Sequence, residues 1–393
     1  MAGVAPGASA QRRRSRSRGR AAEGGGKQDG KDANGGRAEE GKDPIAKHVG
    51  HLEVPHFSVV PGQLLGPKQR YYVRRLLGEG TFGRVLSCVD MVQKEAVAVK
   101  VVKGVRRYCE YAEAEAEVLR EISRCDPAGQ SRCVRLRDAF LHAKQYYCLV
   151  FERLGVSLHE FMQKDCGRGL LAADVRSIAQ QLVQCLCFLH GLSLTHTDLK
   201  CRNVMLKNAR YDLAPLPRAK GAQARKPQSC EVVVIDFGGA LFAQERGDGK
   251  IGTRHYRPPE VIIGLPWDEK ADLWSAGCIV ALTYLGYRPI LAGEDLEQLA
   301  LMEKLMGREF PRHMARGPCF SKGGRLEWPK RAPDHEAVER VERMRPLREQ
   351  VSAHHAPLLQ LLEGLLQFDP KKRLSAEAAS DLPLLAEGAA LPE

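Results

Sequence analysis

Two aspartates, a lysine and an asparagine are the residues of this chain with the most specific chemistry. The stretch Leu194-Thr-His-Thr-Asp-Leu-Lys-Cys-Arg-Asn-Val-Met-Leu206 gathers Asp198, Lys200 and Asn203 between apolar flanks. A second acid, Asp236, follows in Val232-Val-Val-Ile-Asp-Phe-Gly-Gly239. A carboxylate can accept a hydroxyl proton. A second carboxylate with an amide can hold Mg²⁺, and an ammonium can neutralise a phosphoryl oxygen. Together they form a parts list for moving the terminal phosphate of ATP to an alcohol. His196, between Thr195 and Thr197, reads as a structural core histidine.

These groups are far apart in the chain, so other elements must position them. Leu77-Gly-Glu-Gly-Thr-Phe-Gly-Arg-Val85 carries Gly78, Gly80 and Gly83. Glycines in this pattern also occur in dinucleotide sites, where a helix follows them. Here the β-like run Val85–Asp90, a turn and Ala96-Val-Ala-Val-Lys100 follow instead. Strand, glycine loop, strand, turn, strand is an arrangement that can lie over nucleotide phosphates, because glycine lets backbone amides approach closely. Lys100 then ends the third strand. The run Tyr111–Ile122, rich in Ala and Glu, favours helix. One of its acids should turn inward to hold Lys100. Glu113, Glu115 and Glu117 alternate, so they cannot all share one helix face. Tyr146–Glu152 reads as a further apolar strand running into Arg153-Leu-Gly155, a hinge between two lobes. Beyond Ala172 an apolar stripe at helical spacing delivers the 194–206 loop. The run 268–285 starts acidic, as suits a helix N-terminus, then becomes apolar nearly all round and predicts a buried central helix. Asp272 at its start is placed to bond the loop backbone. Arg373 is a candidate partner for Glu260 in a buried structural pair. Between Leu206 and Glu231 a basic insert predicts a surface loop or hairpin.

Composition narrows the class. The chain has 393 residues, 44% of them hydrophobic, and contains no apolar run long enough to span a membrane. Its start lacks the apolar core of a signal peptide. The 12 cysteines are scattered and read as reduced thiols, not a disulfide frame or zinc site. The formal charge of +12 allows acidic partners without selecting one. Residues 1–65 are poor in aromatic residues and predict a disordered basic tail. Within it, Gln11-Arg-Arg-Arg-Ser-Arg-Ser-Arg-Gly-Arg20 reads as a nuclear-import signal or nucleic-acid patch, with Ser15 and Ser17 open to phosphorylation. No aromatic residues interleave the arginines, so stacking on single-stranded RNA is not indicated.

The catalytic-type loop and the Asp-Phe-Gly turn resemble those of eukaryotic protein kinases. Further stretches are similar to the LAMMER-type, or CDC-like, dual-specificity branch. They are Thr197 where most kinases have arginine, Thr253-Arg-His-Tyr-Arg257, Glu297-Gln-Leu-Ala-Leu-Met-Glu-Lys304, Val99–Glu110 and Ser321-Lys-Gly-Gly324. The resemblance implies an α+β, bilobal protein-kinase fold, with a small β-rich N-lobe and a larger helical C-lobe. The kinase domain is expected at 66–387, comprising an N-lobe of about 71–151, a hinge at 152–155 and a C-lobe at 156–387. Residues 388–393 would be a tail. It implies ATP-dependent phosphorylation of serine and threonine, with some tyrosine, on Arg-Ser-rich splicing factors, with ATP and Mg²⁺ as cofactors. The chain is expected to act as a monomer in the nucleus, with the cytoplasm as a second location. Asp198 would be the base, Lys200 would contact the γ-phosphate, and Asn203 and Asp236 would hold the metal. Lys100 would anchor the α- and β-phosphates, and the resemblance selects Glu115 as its partner. Leu77, Val85, Ala98, Met205 and Ile235 would sandwich adenine. Gly78, Glu79, Gly80, Thr81, Phe82 and Gly83 would cover the phosphates. Phe151 would back the pocket, Glu152 and Leu154 would line the hinge, and Glu160 would lie near the mouth. Cys201-Arg202 replaces the family's Pro-Glu. The family glutamate can attract a substrate arginine, which Arg202 would repel. Other readings are a kinase with a different substrate class, a catalytically weak kinase-fold scaffold, and a tail that binds RNA.

Threonine at 197 removes the arginine that normally receives an activation-segment phosphate, so that ordering charge pair cannot form. The enzyme is therefore expected to keep its activity after phosphatase treatment. Loss of nearly all activity in a peptide phosphorylation assay would contradict this.

Overall fold

The computed structural model describes residues 56–163, 169–215, 223–247, 249–386, 388, 389 and 391. The Arg-Ser run and the other expected tail residues up to 55 lie outside the described residues. So do 216–222 of the basic insert and residues 390, 392 and 393 of the expected C-terminal tail.

The first half of the structure is one antiparallel sheet. Its strands are β1 (Leu64–Leu65), β2 (Tyr71–Gly80), β3 (Gly83–Asp90), β4 (Glu95–Val102), β5 (Leu136–His142) and β6 (Tyr146–Glu152), in the order β1-β2-β3-β4-β6-β5. The side-chain period of two divides β4 between two surfaces. Val97, Val99 and Val101 are buried in the sheet's own core, while Ala98 and Lys100 are only half-buried on the other face. Helix α1 (Arg106–Cys125) covers that sheet and is longer at both ends than the run the sequence indicated. Its buried stripe is Ala112, Glu115, Ala116, Leu119 and Ile122, which turns Glu115 inward and leaves Glu113 and Glu117 exposed.

The tail boundary at 65 needs correction. Leu65 pairs with Tyr71 and is fully buried. Phe57 packs edge-on against His142 and Tyr146. Two apolar residues suffice to dock this segment because distant strands supply their partners.

The second half is mainly helical. Helix α2 (Leu158–Gln163) precedes α3 (Ala172–Gly191), which runs into the short strand β7 (Leu194–Thr195) and the candidate catalytic loop. Strands β8 (Val204–Leu206) and β11 (Val232–Val234) pair antiparallel and flank a hairpin of β9 (Tyr211–Pro215) and β10 (Gln223–Pro227). That hairpin is the described part of the basic insert. Helix α4 (Pro259–Ile263) leads to α5 (Lys270–Leu285), whose residues from Ala271 to Tyr284 are all buried. Helices α6 (Asp295–Met306) and α7 (His335–Arg343) follow and pack against each other. Leu299, Met302, Leu305 and Met306 face the core of α6, as their helical spacing indicates.

The two halves are joined by backbone bonds behind the cleft. Val134 N–H donates to Val234 O at 2.9 Å, and Val234 N–H to Arg132 O at 2.7 Å. At the hinge, Gly155 N–H donates to Leu206 O at 2.9 Å. A Cβ on Gly155 would meet Leu206 O at 2.7 Å, so only glycine permits this approach.

Arg373 is the best-satisfied buried charge. Its guanidinium donates to both Glu260 oxygens, at 2.7 and 2.8 Å, and to the carbonyls of Gln367 and Lys270. It also lies over the Trp274 ring. Removing one partner strands the other charge in the core. Arg373→Ala should lower the unfolding free energy by about 3–5 kcal/mol in urea titration. Arg124→Ala breaks an exposed i,i+3 pair and should leave the midpoint nearly unchanged.

Candidate active site

The site forms where β4, α1 and the turn after β11 meet. Lys100 Nζ lies 2.8 and 3.1 Å from the Glu115 carboxylate oxygens and 3.3 Å from Asp236 Oδ1. Burial alone would lower the Lys100 ammonium pKa, but Glu115 and Asp236 outweigh it and the net shift is upward. The Lys100 charge holds the Asp236 carboxyl below its usual range against burial. Burial dominates at Glu115 and raises it in spite of Lys100. Asp236 is the one carboxylate of the three-way contact with a side chain 44% exposed, against 4% for Glu115. It opens onto the cleft, whereas Glu115 is spent on Lys100.

Asp236 and Thr197 both have left-handed backbone, at φ 69° and 70°. That conformation is costly for a β-branched residue, so surrounding bonds must enforce it. Asp272, buried at the start of α5, accepts from the backbone N–H of His196 at 2.7 Å and of Thr197 at 3.0 Å. The Thr197 hydroxyl donates to Gly239 O at 2.8 Å, tying the loop to the Asp-Phe-Gly turn. His196 is fully buried, contacts Ile235 O at 3.1 Å and packs against Phe237. This is the structural role its setting indicates.

At the loop itself, Lys200 Nζ is 2.6 Å from Asp198 Oδ2. Asp198 Oδ1 accepts from Thr253 twice, from its N–H at 2.9 Å and its hydroxyl at 2.7 Å. Lys200 also donates to the Thr253 hydroxyl at 3.0 Å. A carboxylate oxygen has two lone-pair sites. Oδ1 has both filled, and Oδ2 keeps one open. Asn203 donates to Asp198 O at 3.0 Å, and its own carbonyl accepts from Ile235 N–H at 2.9 Å. Asn203 and Asp236 are therefore brought to adjoining backbone positions. Thr253 is the site residue that sequence reasoning underrated. Its signal was its place just before Arg254-His-Tyr-Arg257, but nothing local says that it reaches back to residue 198.

The seven residues expected around adenine share one trait. Leu77, Val85, Ala98, Phe151, Leu154, Met205 and Ile235 are all half-buried, while Leu86, Val97, Val99, Val204 and Leu206 beside them are buried. Val85 is paired with Lys100 and Ala98 with Phe151, and directly paired residues share a sheet face. Met205 is bridged to Ser157 just beyond the hinge. This is an apolar cleft lining next to Lys100. In the glycine loop, a Cβ on Gly83 would meet Val101 O at 2.2 Å, while Gly78 and Gly80 border open space. Several expected contacts are turned elsewhere. Glu79 pairs with Arg84, Phe82 packs edge-on against Tyr108, and Glu152 lines a cavity of about 350 Å³ with Arg135, Leu136 and Arg137. Thr81 is exposed at the loop tip. The Glu160 carboxylate accepts from Ser157 N–H at 3.1 Å, a capping bond at the start of α2.

The profile of the protein kinase domain family matches residues 71–385. The chain belongs to the protein kinases, in their LAMMER-type branch. It is 37% identical over 347 residues to the serine/threonine-protein kinase AFC2 of Arabidopsis thaliana, covering 84% of this chain and 80% of that protein. It is 35% identical over 338 residues to the human dual specificity protein kinase CLK1, covering 84% and 68%. A crystal structure of a kinase domain aligns with TM-score 0.79 and 32% identity, over 84% of this chain and 99% of that one. Kinases of this family generally use ATP and Mg²⁺. The residues here fit that pair. Mg²⁺ is usually held by one or two carboxylates plus substrate phosphates, not by a dedicated cage. Asp236 offers a cleft-facing carboxylate, and Asn203 stands beside it.

Asp272 acts on this kinase's chemistry only through the loop it holds. Asp272→Asn turns one acceptor into an amide donor facing a backbone N–H. It should lower kcat about 10- to 100-fold, the scale of a small misplacement, while leaving the KM for ATP nearly unchanged. Steady-state kinetics would read this. An unaltered kcat would contradict the positioning role.

Proposed function

We propose that this kinase transfers the γ-phosphate of ATP to serine or threonine hydroxyls, and to some tyrosines, of Arg-Ser-rich nuclear proteins. What supports the transfer chemistry is the Lys100–Asp236 contact, together with Lys200, which lies against Asp198 and whose charge also acts on Asp236, next to a lining of half-buried apolar side chains. Adenine would lie between Leu77, Val85 and Ala98 on one side and Met205 and Ile235 on the other. Lys100, fixed by Glu115, would grip the α- and β-phosphates. Asp236 and Asn203 would hold Mg²⁺, which supplies charge neutralisation on the phosphates. Lys200, which lies against Asp198, would contact the γ-phosphate. Asp198 Oδ2 would take the hydroxyl proton through its open lone pair, while Thr253 keeps the carboxylate from rotating.

The substrate class rests on likeness to the LAMMER branch and on the chain's own Arg-Ser run, in which Ser15 and Ser17 stand between arginines. Four of the similar kinases carry the name dual specificity, which supports a tyrosine component. Nuclear residence is proposed from the same arginine run. A different substrate class is favoured by one observation: Arg202, exposed beside the catalytic loop, puts positive charge where a substrate arginine would approach.

Asp198→Asn should abolish transfer of labelled phosphate to peptide by about 10²-fold or more while leaving nucleotide binding intact. On a peptide array, Arg-Ser repeats should be turned over faster than Pro-directed or acidic peptides. Equal turnover of all three would remove the substrate assignment without touching the transfer chemistry.

A further inference from the structure

The signature helix α6 holds the activation segment directly. Asp295, in its first turn, has Oδ2 2.6 Å from Lys250 Nζ and Oδ1 2.9 Å from Arg254 Nη1. Both cations belong to the stretch between the Asp-Phe-Gly turn and α4. One turn further on, the fully buried Gln298 donates its Nε2 to the Arg254 carbonyl. Glu297 between them is taken up inside the protein: it accepts from Arg340 of α7 and from Gly293 N–H, both at 2.8 Å. This fixes the first turn of α6 as a rigid platform. Residue 254 is thus gripped by side chain and by backbone. Its neighbour Thr253 is the residue locked to Asp198 Oδ1 and Lys200.

Kinases with arginine at the position of Thr197 order this segment by pairing that arginine with an added phosphate. Thr197 cannot do so, and its hydroxyl is committed to Gly239. An activation segment with no such anchor still needs charge pairing to be fixed. Here the carboxylate is built into the chain, and the cations sit on the segment itself.

We propose that Asp295, through Lys250 and Arg254, is a positioning residue that replaces activation-segment phosphorylation and sets the protein-substrate surface around Thr253. This rests on the phosphotransfer reading of the cleft. The ion-pair partners of Asp295 are Lys250 and Arg254, and among the described residues neither bonds to Lys100, Glu115 or the residues of the adenine lining. The loss of Asp295 is therefore read by the protein substrate and not by ATP.

The test is steady-state kinetics of the full chain with a peptide substrate, alongside thermal unfolding. Asp295→Ala should raise the peptide KM or lower kcat/KM for peptide by about tenfold, the usual scale of such a coupling, with the KM for ATP unchanged. Asp295→Glu should keep most of the activity. Lys250→Asp combined with Asp295→Lys should recover part of what Asp295→Lys alone loses. The partners are partly exposed, so high salt should narrow the gap between wild type and Asp295→Ala. An Asp295→Ala enzyme with wild-type peptide kinetics would overturn the proposal. So would a double variant no better than Asp295→Lys, or a fall in melting temperature with the peptide parameters unmoved. A wild-type chain that transfers phosphate to no peptide would instead overturn the reading of the cleft.

Discussion

The shared Lys100 ammonium is the constraint on which the site depends. It is contributed by the sheet, Glu115 by α1, and Asp236 by the turn after β11. Withdrawing a charge from water costs several kcal/mol unless the partners and geometry are good, and here two carboxylates share one cation. Three elements far apart in sequence must therefore be in register before the contact exists. Once they are, Asp236 is left facing the cleft and Phe237 is turned into the core against His196. The first half of the molecule supplies the cation and its buried counter-ion; the second supplies the exposed acid.

A second constraint acts on the other side of the cleft. The catalytic loop contains a β-branched residue in a left-handed conformation, which local sequence would not choose. Its geometry is imposed from α5, a helix buried almost throughout and led by Asp272. A carboxylate accepting two backbone N–H bonds in a dry setting is a strong, directional restraint. Position at Asp198 is thus inherited from the best-packed part of the protein. The same holds one step outward, where α6 and its fixed first turn restrain Arg254 and through it Thr253.

Much of this was legible before any coordinates. Strand β6 falls on Tyr146–Glu152 as its apolar run indicated, and α3 on Ala172–Gly191. Hydrophobic period is a local signal, and these elements obey it. Asp272 on the loop backbone was also reachable, because it is an acid at the head of an otherwise apolar helix and needs a partner. Glu115 was harder. The run Ala-Glu-Ala-Glu-Ala-Glu has period two on a helix of period 3.6, so it hides the helix phase. Only the flanking Leu119 and Ile122, with Ala112, reveal which acid turns inward. The docking of Phe57 and Leu65 was missed because their partners lie in remote strands. Likewise the side chains of Glu79 and Phe82 turn to protein partners that no spacing rule announces. The role of the signature around Glu297 was invisible for the same reason: what it holds is some 45 residues away in sequence.

The central claim is that Asp236, held ionised by Lys100 and open to the cleft, is the group that brings Mg²⁺ to the bound nucleotide. Calorimetric titration of ATP with and without Mg²⁺, on wild type and Asp236→Asn, tests it without relying on turnover. The account predicts that Mg²⁺ tightens ATP binding to the wild-type chain and that this gain disappears in Asp236→Asn. Equal strengthening by Mg²⁺ in both proteins would contradict it.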